Sequence, residues 1–266
     1  MKPLQATIEG VGFWAPGLPS WDAARAYANG GELVADAPAR PSPQLLAPNE
    51  RRRAPEPVAV ALEVALAACT AAGREPIALP SVFASASGDL VITDYMCTAL
   101  ASDPRSISPT RFHNSVHNAA AGYWTIGTGA MQPATALSAG DATFAQALIE
   151  ALVQLASGAD AVLLTAYDGA SAGPLKQVVP SESLLGAAMV LSRHVRDGAL
   201  ALAVELGDDR GAAAPLGVLS KHAAGNAMAQ MLPVFDALAR DDAHGSEESV
   251  ILRAGAGRAL TVRICR

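Results

Sequence analysis

Residues 133–166 read PATALSAGDATFAQALIEALVQLASGADAVLLTA, and this stretch decides the fold. Pro133 to Ser138 is a short apolar strand, and Ala139-Gly140 makes a tight turn. From Asp141 to Ser157 apolar residues recur at helical spacing, with Phe144, Leu148, Ala151, Leu152 and Leu155 on one stripe. Asp141 sits at the positive end of the helix dipole, where a carboxylate is favoured. Gly158 ends the helix, and Ala161 to Ala166 is an apolar run of the kind that a parallel sheet buries on both faces. Together these pieces predict a βαβ unit within an α/β architecture of layered helices.

The flanking sequence extends that reading in both directions. Gln5 to Phe13 is a first strand, closed by Pro16, Gly17 and Pro19. Residues from Trp21 to Pro57 are Pro- and Ala-rich and weakly periodic, which predicts an irregular excursion with one short helix. Pro57 to Ala72 is helical, with Gly73 at its end. Ser81 to Ala86 forms a short strand, and Thr93 can cap a helix running to about Ala101. Beyond the central unit, Leu185 to Ser192 and Leu200 to Glu205 supply strands. A helix follows around Ala227 to Ala239, and then a closing pair, Ser249 to Arg253 and Arg258 to Ile264.

Composition narrows the function. The chain has 266 residues with a formal net charge of −6, 51% hydrophobic and 17% charged. Such a sequence folds rather than staying disordered. The acidic balance opposes non-specific nucleic-acid binding, and the single basic run, Arg51-Arg52-Arg53, is too short to provide it. No signal-peptide core and no membrane-length apolar run is present, and the odd set Cys69, Cys97 and Cys265 has no C-x-x-C spacing. A reduced, cytoplasmic protein with no metal and no cofactor is the expectation. Cys69 and Cys97 lie inside predicted helices and read as buried structural thiols.

One long span carries no Asp, Glu, Lys or Arg: Phe112 to Gly140. Its Asn, His, Ser, Thr and Gly residues exclude a membrane segment, so it must be buried with partners for its polar groups, in a core or at a subunit interface. His113 and His117 are spaced to share a helix face, but no acidic or cysteine ligand accompanies them. Buried, hydrogen-bonded histidines in a core or interface are therefore expected. His194, His222 and His244 read as surface or loop residues.

A strand, a small-residue turn and a helix N-terminus make a platform for a nucleophile, because free N–H groups there stabilise a developing anion. Here the platform carries Ser138, Ala139, Gly140 and Asp141. It has no cysteine, and Ser138 lies outside any G-x-S-x-G elbow with no base in sequence nearby. Asp141 places a negative charge where an oxyanion hole would want none.

Two strings then acquire meaning together: Ser87-Gly88-Asp89, and SPTRFHNSVHNAAAGYW at residues 108–124. They resemble the N-terminal half of β-ketoacyl synthases, and more narrowly the short ketosynthase-like chain length factors of aryl polyene and polyketide biosynthesis. The resemblance spans roughly Gln5 to Leu191. It implies a thiolase-like fold with helices layered around a mixed sheet, and a shortened C-terminal half. On that view residues 1–198 form the ketosynthase-like domain, and 199–266 a short α/β extension completing it. It also implies dimerisation through the central sheet, with a helix around Asn114 to Trp124 and the strand Pro133 to Ser138 at the interface.

An active ketosynthase carries a cysteine directly after that strand and two histidines in its second half. In this chain Ser138-Ala139-Gly140-Asp141 occupies the cysteine's place, and none of His194, His222 or His244 has a Gly-His-x-x-Gly context. The resemblance therefore implies a non-catalytic subunit with no catalytic residues of its own. It would pair with a catalytic β-ketoacyl synthase, with an acyl carrier protein as a further candidate partner. His113, Asn114, His117, Asn118, Tyr123, Trp124, Met131 and Phe144 would form the interface and the acyl tunnel. The competing expectations are a malonyl decarboxylase or acyltransferase working through Ser138 or Asp141, and a homodimeric scaffold.

Overall fold

The computed structural model describes residues 4–194, 199–209, 211, 216–240 and 247–265. Its elements run β1 (Leu4–Trp14), α1 (Trp21–Ala28), α2 (Pro48–Arg53), α3 (Glu56–Ala72), β2 (Ser81–Ala84), α4 (Leu90–Ser102), α5 (Pro109–Asn114), α6 (Ala119–Thr128) and β3 (Ala134–Leu137). They continue with α7 (Thr143–Ala156), β4 (Ala161–Asp168), β5 (Leu185–Ser192), β6 (Ala201–Asp208), α8 (Val218–His222), α9 (Leu232–Ala239), β7 (Glu247–Gly255) and β8 (Arg258–Cys265).

The eight strands form one mixed sheet in the order β3-β2-β4-β5-β1-β6-β8-β7. β2 runs parallel to both β3 and β4, and the other neighbouring pairs are antiparallel. The expected βαβ unit is present as β3–α7–β4, but β2 lies between its two strands. All eight residues of β4 and all eight of β5 are buried. Alternation explains this: Val162, Leu164 and Ala166 face one apolar core, while Ala161, Leu163 and Tyr167 face a second one across the sheet.

Helices α1, α7, α8 and α9 build the first core, and α3 and α6 the second. Backbone contact holds α3 on β1. A side-chain carbon at Gly10 would sit 2.3 Å from the Ala68 carbonyl oxygen, and one at Gly12 only 2.1 Å from that of Val64, so only glycine admits this approach. β6, β7 and β8 present one face to the first core. On the other, half-solvated face, Arg263 stands 3.9 Å from Glu205 and 3.8 Å from Glu247.

Several boundaries differ from the sequence reading, each for a local reason. Thr93 does not cap α4. Asp89 does, its Oδ1 accepting from Val91 N and Ile92 N at 2.9 Å, whereas the Thr93 hydroxyl donates back to the Asp89 carbonyl inside the helix. The helix expected over Asn114 to Trp124 is two helices. Ser115 Oγ donates to the Phe112 carbonyl at 2.8 Å, a local bond that competes with helix propagation, and the chain turns before α6 starts at Ala119. The excursion after Trp21 holds two short helices instead of one, α8 had no counterpart in the reading, and α7 and α9 each follow a single 3₁₀ turn. His244 lies outside the described residues.

Candidate functional site

The platform after β3 is built as expected and sits at the surface, with Ser138, Ala139, Gly140 and Asp141 all exposed. Gly140 takes φ +58°, the left-handed conformation that a turn this tight requires. Thr143 locks it: its hydroxyl donates to the Gly140 carbonyl at 2.6 Å and accepts from Ala139 N at 2.9 Å. Ser138 Oγ donates to the Ala86 carbonyl at 2.8 Å, so its proton is committed to an amide oxygen rather than a base. Asp141 pairs with Arg253 at 2.5 Å, although both side chains are largely exposed. Among the described residues the histidine rings hydrogen-bond elsewhere, His117 to the Ser85 carbonyl and His222 to that of Pro16.

Behind the platform lies a polar knot that sequence reasoning missed. Asp168, at the end of β4, is buried; its Oδ1 accepts from Ser85 Oγ at 2.6 Å and its Oδ2 from Ala86 N at 2.9 Å. Gly88 N donates to Ser85 Oγ at 2.8 Å. His117 Nε2 meets the Ser85 carbonyl at 2.9 Å, which fixes that nitrogen as the protonated one, since a carbonyl only accepts. Burial pushes the Asp168 carboxyl up to about 6, against the hydrogen bonds from Ser85, Ala86 and Ser87 and the nearby His117, which pull it down. From the other side, Asn226 Nδ2 donates to the Asp168 carbonyl at 3.2 Å. The knot anchors the Ser85–Asp89 loop, and Ser138 holds the same loop through Ala86.

The eight residues nominated for interface and tunnel fall in different settings. Trp124 is fully buried in the second core, 6.1 Å from Phe83, and Phe144 lies in the first core, 6.2 Å from Phe235. Asn114 is buried, with Tyr123 Oη donating to its Oδ1 at 3.1 Å. His113, Asn118 and Tyr123 line a cavity of about 190 Å³ together with Val116 and Ile126. His113 and His117 share no helix face, because His113 is in α5 and His117 in the turn after it. His113 is exposed and His117 half-buried. Met131 is 95% exposed.

Burial in a core accounts for only part of the uncharged span. Within the chain, Phe112, Val116, Ile126 and Met131 stand in solvent, Ile126 at 81% exposure. They lie on α5, in the turn after it, on α6 and in the loop entering β3, the edge strand of the sheet, which pairs with β2 alone among the described residues. An open strand edge flanked by exposed apolar side chains is a docking template for another chain.

The thiols divide. Cys69 is buried as expected, and burial pushes it up to about 12, leaving it inert. Cys97, expected to be buried, is exposed: α4 turns it away from the core, covering only Leu90, Ile92 and Ala99. Among the described residues no group of three or more His, Cys, Asp and Glu could hold a metal ion, and no helix is long and apolar enough to cross a membrane.

A mixed sheet between helix layers, with a strand–turn–helix platform following its open edge strand, agrees with the thiolase-like fold that the sequence resemblance implies. The chain belongs to the beta-ketoacyl synthase family, matching the model of its N-terminal domain over residues 21–249. None of the curated proteins compared with it matches. Among solved structures it resembles a chain in the complex of the ketosynthase ApeO with its chain length factor ApeC from Xenorhabdus doucetiae. There the TM-score is 0.74 at 22% identity, covering 97% of this chain and 99% of that one. The ishigamide ketosynthase/chain length factor gives 0.74 at 15% identity, with 99% of both chains covered. A β-ketoacyl synthase from Burkholderia phymatum gives 0.60 at 15% identity, over 90% of this chain but 71% of that one.

Proposed function

We propose that this protein is a non-catalytic chain length factor. In this reading it docks on a catalytic β-ketoacyl synthase and shapes the cavity in which an acyl chain of polyketide or aryl polyene type grows. The observation that carries the reading is the platform after β3: its turn geometry is intact while its chemistry is gone. Ketosynthase condensation needs a thiolate to take the acyl group. Ser138 offers a hydroxyl already donated to a carbonyl, and Asp141 adds a negative charge where an anion would develop.

The β3 edge and the exposed residues of α5 and α6 support the docking half of this reading, since the partner's strand would complete the sheet and cover Ile126 and Met131. End-to-end agreement with chains from ketosynthase/chain length factor complexes supports it as well. Of the nominated residues we assign His113, Asn114, Asn118, Tyr123 and Met131 to the docking seam and its cavities. His117 braces the seam, and Trp124 and Phe144 support it from the two cores. Residues 199–266 are read as an extension that completes the domain, and the setting as cytoplasmic.

Length control would then come from volume: each methylene that finds an apolar pocket gains about 0.8 kcal/mol, and a side chain filling that pocket removes the gain. Light scattering on the chain mixed with its ketosynthase tests the assignment, with a one-to-one heterodimer as the expected result. Intact-mass measurement after exposure to an acyl carrier thioester should show no adduct on this chain. A lone, stable homodimer that ignores the synthase, or an acyl adduct lost in Ser138→Ala, would overturn it.

A further inference from the structure

The excursion between α1 and α3 returns to the docking seam as a strap, Pro41 to Arg53, that ends in α2. Pro41, Pro43 and Leu46 are buried, Leu46 within the second core. Leu45 takes the space that a side chain would need at Gly127 of α6, where a Cβ would stand 2.9 Å from Leu45 Cγ. Leu46 and Glu50 face His113, Asn118, Tyr123 and Ile126 across the cavity of about 190 Å³. The strap is therefore one wall of that cavity, and α5 and α6 with the turn between them form the other.

A single acid ties the strap to α3. Glu63 accepts from the Ser42 N–H and lies beside the Arg51 guanidinium, whose Nη2 donates to the Leu46 carbonyl at 2.9 Å. The contact is incompletely matched: Glu63 Oε2 and Arg51 Nε are both buried without a hydrogen-bond partner among the described residues. A half-satisfied buried contact is among the first to open, because opening hydrates both groups. Burial raises the Glu63 carboxyl above its ordinary range, against the Ser42 N–H and Arg51, which lower it. The charged groups facing it are Arg51, from α2, and Asp22, from α1 across a groove of about 420 Å³ that Gln44 of the strap also lines.

We propose that the Pro41–Arg53 strap is a movable wall of the docking seam, and that Glu63 is the positioning residue that latches it shut. The inference rests on the chain length factor reading and adds a control on its seam. With the strap closed, the cavity wall exists before the partner arrives, so docking costs less ordering. With it open, Leu45 and Leu46 leave their places and the cavity loses a side. Glu63 is raised under the strap and regains its ordinary value in water, so its proton favours the closed state. Closure is strongest where Glu63 is protonated and weakens as pH climbs through the raised value.

Hydrogen exchange on the full chain alone tests the latch without a partner. Protection of the strap amides, corrected for the intrinsic rate, should fall severalfold from about pH 5 to about pH 8. Glu63→Gln keeps an acceptor for the Ser42 N–H without the charge, so protection should stay high and flat. Glu63→Ala leaves that N–H unpaired and should lower protection about tenfold at the acid end, the value of one hydrogen bond. Gly127→Ala crowds Leu45 and should loosen the strap while its pH dependence persists. Thermal melting checks that each variant is folded. Docking of the ketosynthase on the parent chain should raise strap protection, because a partner that fits the closed wall shifts the population towards it.

Equal strap exchange in the parent, Glu63→Gln and Glu63→Ala would overturn the proposal. So would protection that rises with pH, a pH dependence that survives Glu63→Gln, or a docked ketosynthase that leaves strap exchange unchanged. If no ketosynthase docks, the functional reading fails, and exchange on the lone chain still decides the latch.

Discussion

β4 and β3 lie two places apart in one sheet, both apolar and both parallel to β2, yet their environments are opposite. Every residue of β4 is buried, whereas no residue of β3 is. The same contrast separates α7, whose stripe is sealed against the sheet, from α6, which leaves Ile126 in solvent. Apolar sequence thus means core in one region and an exposed edge in the other. Position in the sheet decides which: β4 has a strand on either side and a core on each face, while β3 has one neighbour and an open edge.

Truncation in the core should produce the largest effect on the isolated chain. Phe144→Ala removes a ring packed on Phe235 in a site with 1% exposure, and about 3–5 kcal/mol of stability should go with it, read as the shift in urea midpoint. A loss below about 1 kcal/mol would mean that the α7 core is less tightly packed than the geometry implies.

The polar knot, placed between the two regions, gives the next effect and a sign. Asp168 is raised to about 6 in the folded chain, above its usual carboxylate value, so the fold holds this proton longer than the unfolded chain does. Its contribution is fully present below about pH 4 and is lost as pH climbs through 6, with a slope approaching 1.4 kcal/mol per unit at most, roughly. Burial also raises Asp89 and Glu63, which act in the same direction. Subtracting the Asp168→Asn profile from the parent isolates the one group. Parallel profiles from pH 4 to 7 would show that Asp168 titrates as an ordinary surface acid.

At the seam the pattern inverts. Ile126→Asp and Met131→Asp should change the stability of the lone chain by no more than about 0.5 kcal/mol, because both side chains already stand in water. Association with the ketosynthase should weaken by about a hundredfold or more, since an unpaired carboxylate would be forced out of water at the contact. Unchanged association, measured by light scattering, would move the interface elsewhere.

Sequence carries the parts of this picture that depend on contiguous residues. The α7 stripe and the apolar run of β4 declare themselves by periodicity, and the Ser138–Asp141 turn by its place between them. What depends on residues far apart stays hidden. Asp168 reads as one acid at the end of a strand, because Ser85 and Asn226, which hold it, lie some 80 and 60 positions away. Asp89 and Thr93 both suit a helix start, and only the carboxylate's reach to two N–H groups separates them. The uncharged span announces burial but not by what: Phe112 and Ile126 stand in solvent on this chain, and only the proposed docking would cover them. A cleft of about 460 Å³ draws its wall from the segments around Pro55, Val91, Asn114 and Gly169, and no window of sequence contains them together.

Ser138→Ala should have the smallest effect of all, and its smallness is informative. The change removes one hydrogen bond, from a serine at the surface to the Ala86 carbonyl, and water can replace that donor. Stability should move by less than about 0.5 kcal/mol, and the turnover of a reconstituted heterodimer should be unaffected. A nucleophile behaves otherwise, because removing a group that forms the covalent intermediate abolishes that route whatever its hydrogen bond is worth. The seam variants and this one therefore separate two ways of supporting a ketosynthase. Lost turnover in Met131→Asp with full turnover in Ser138→Ala places the contribution in the contact surface, and the reverse result places it in the turn.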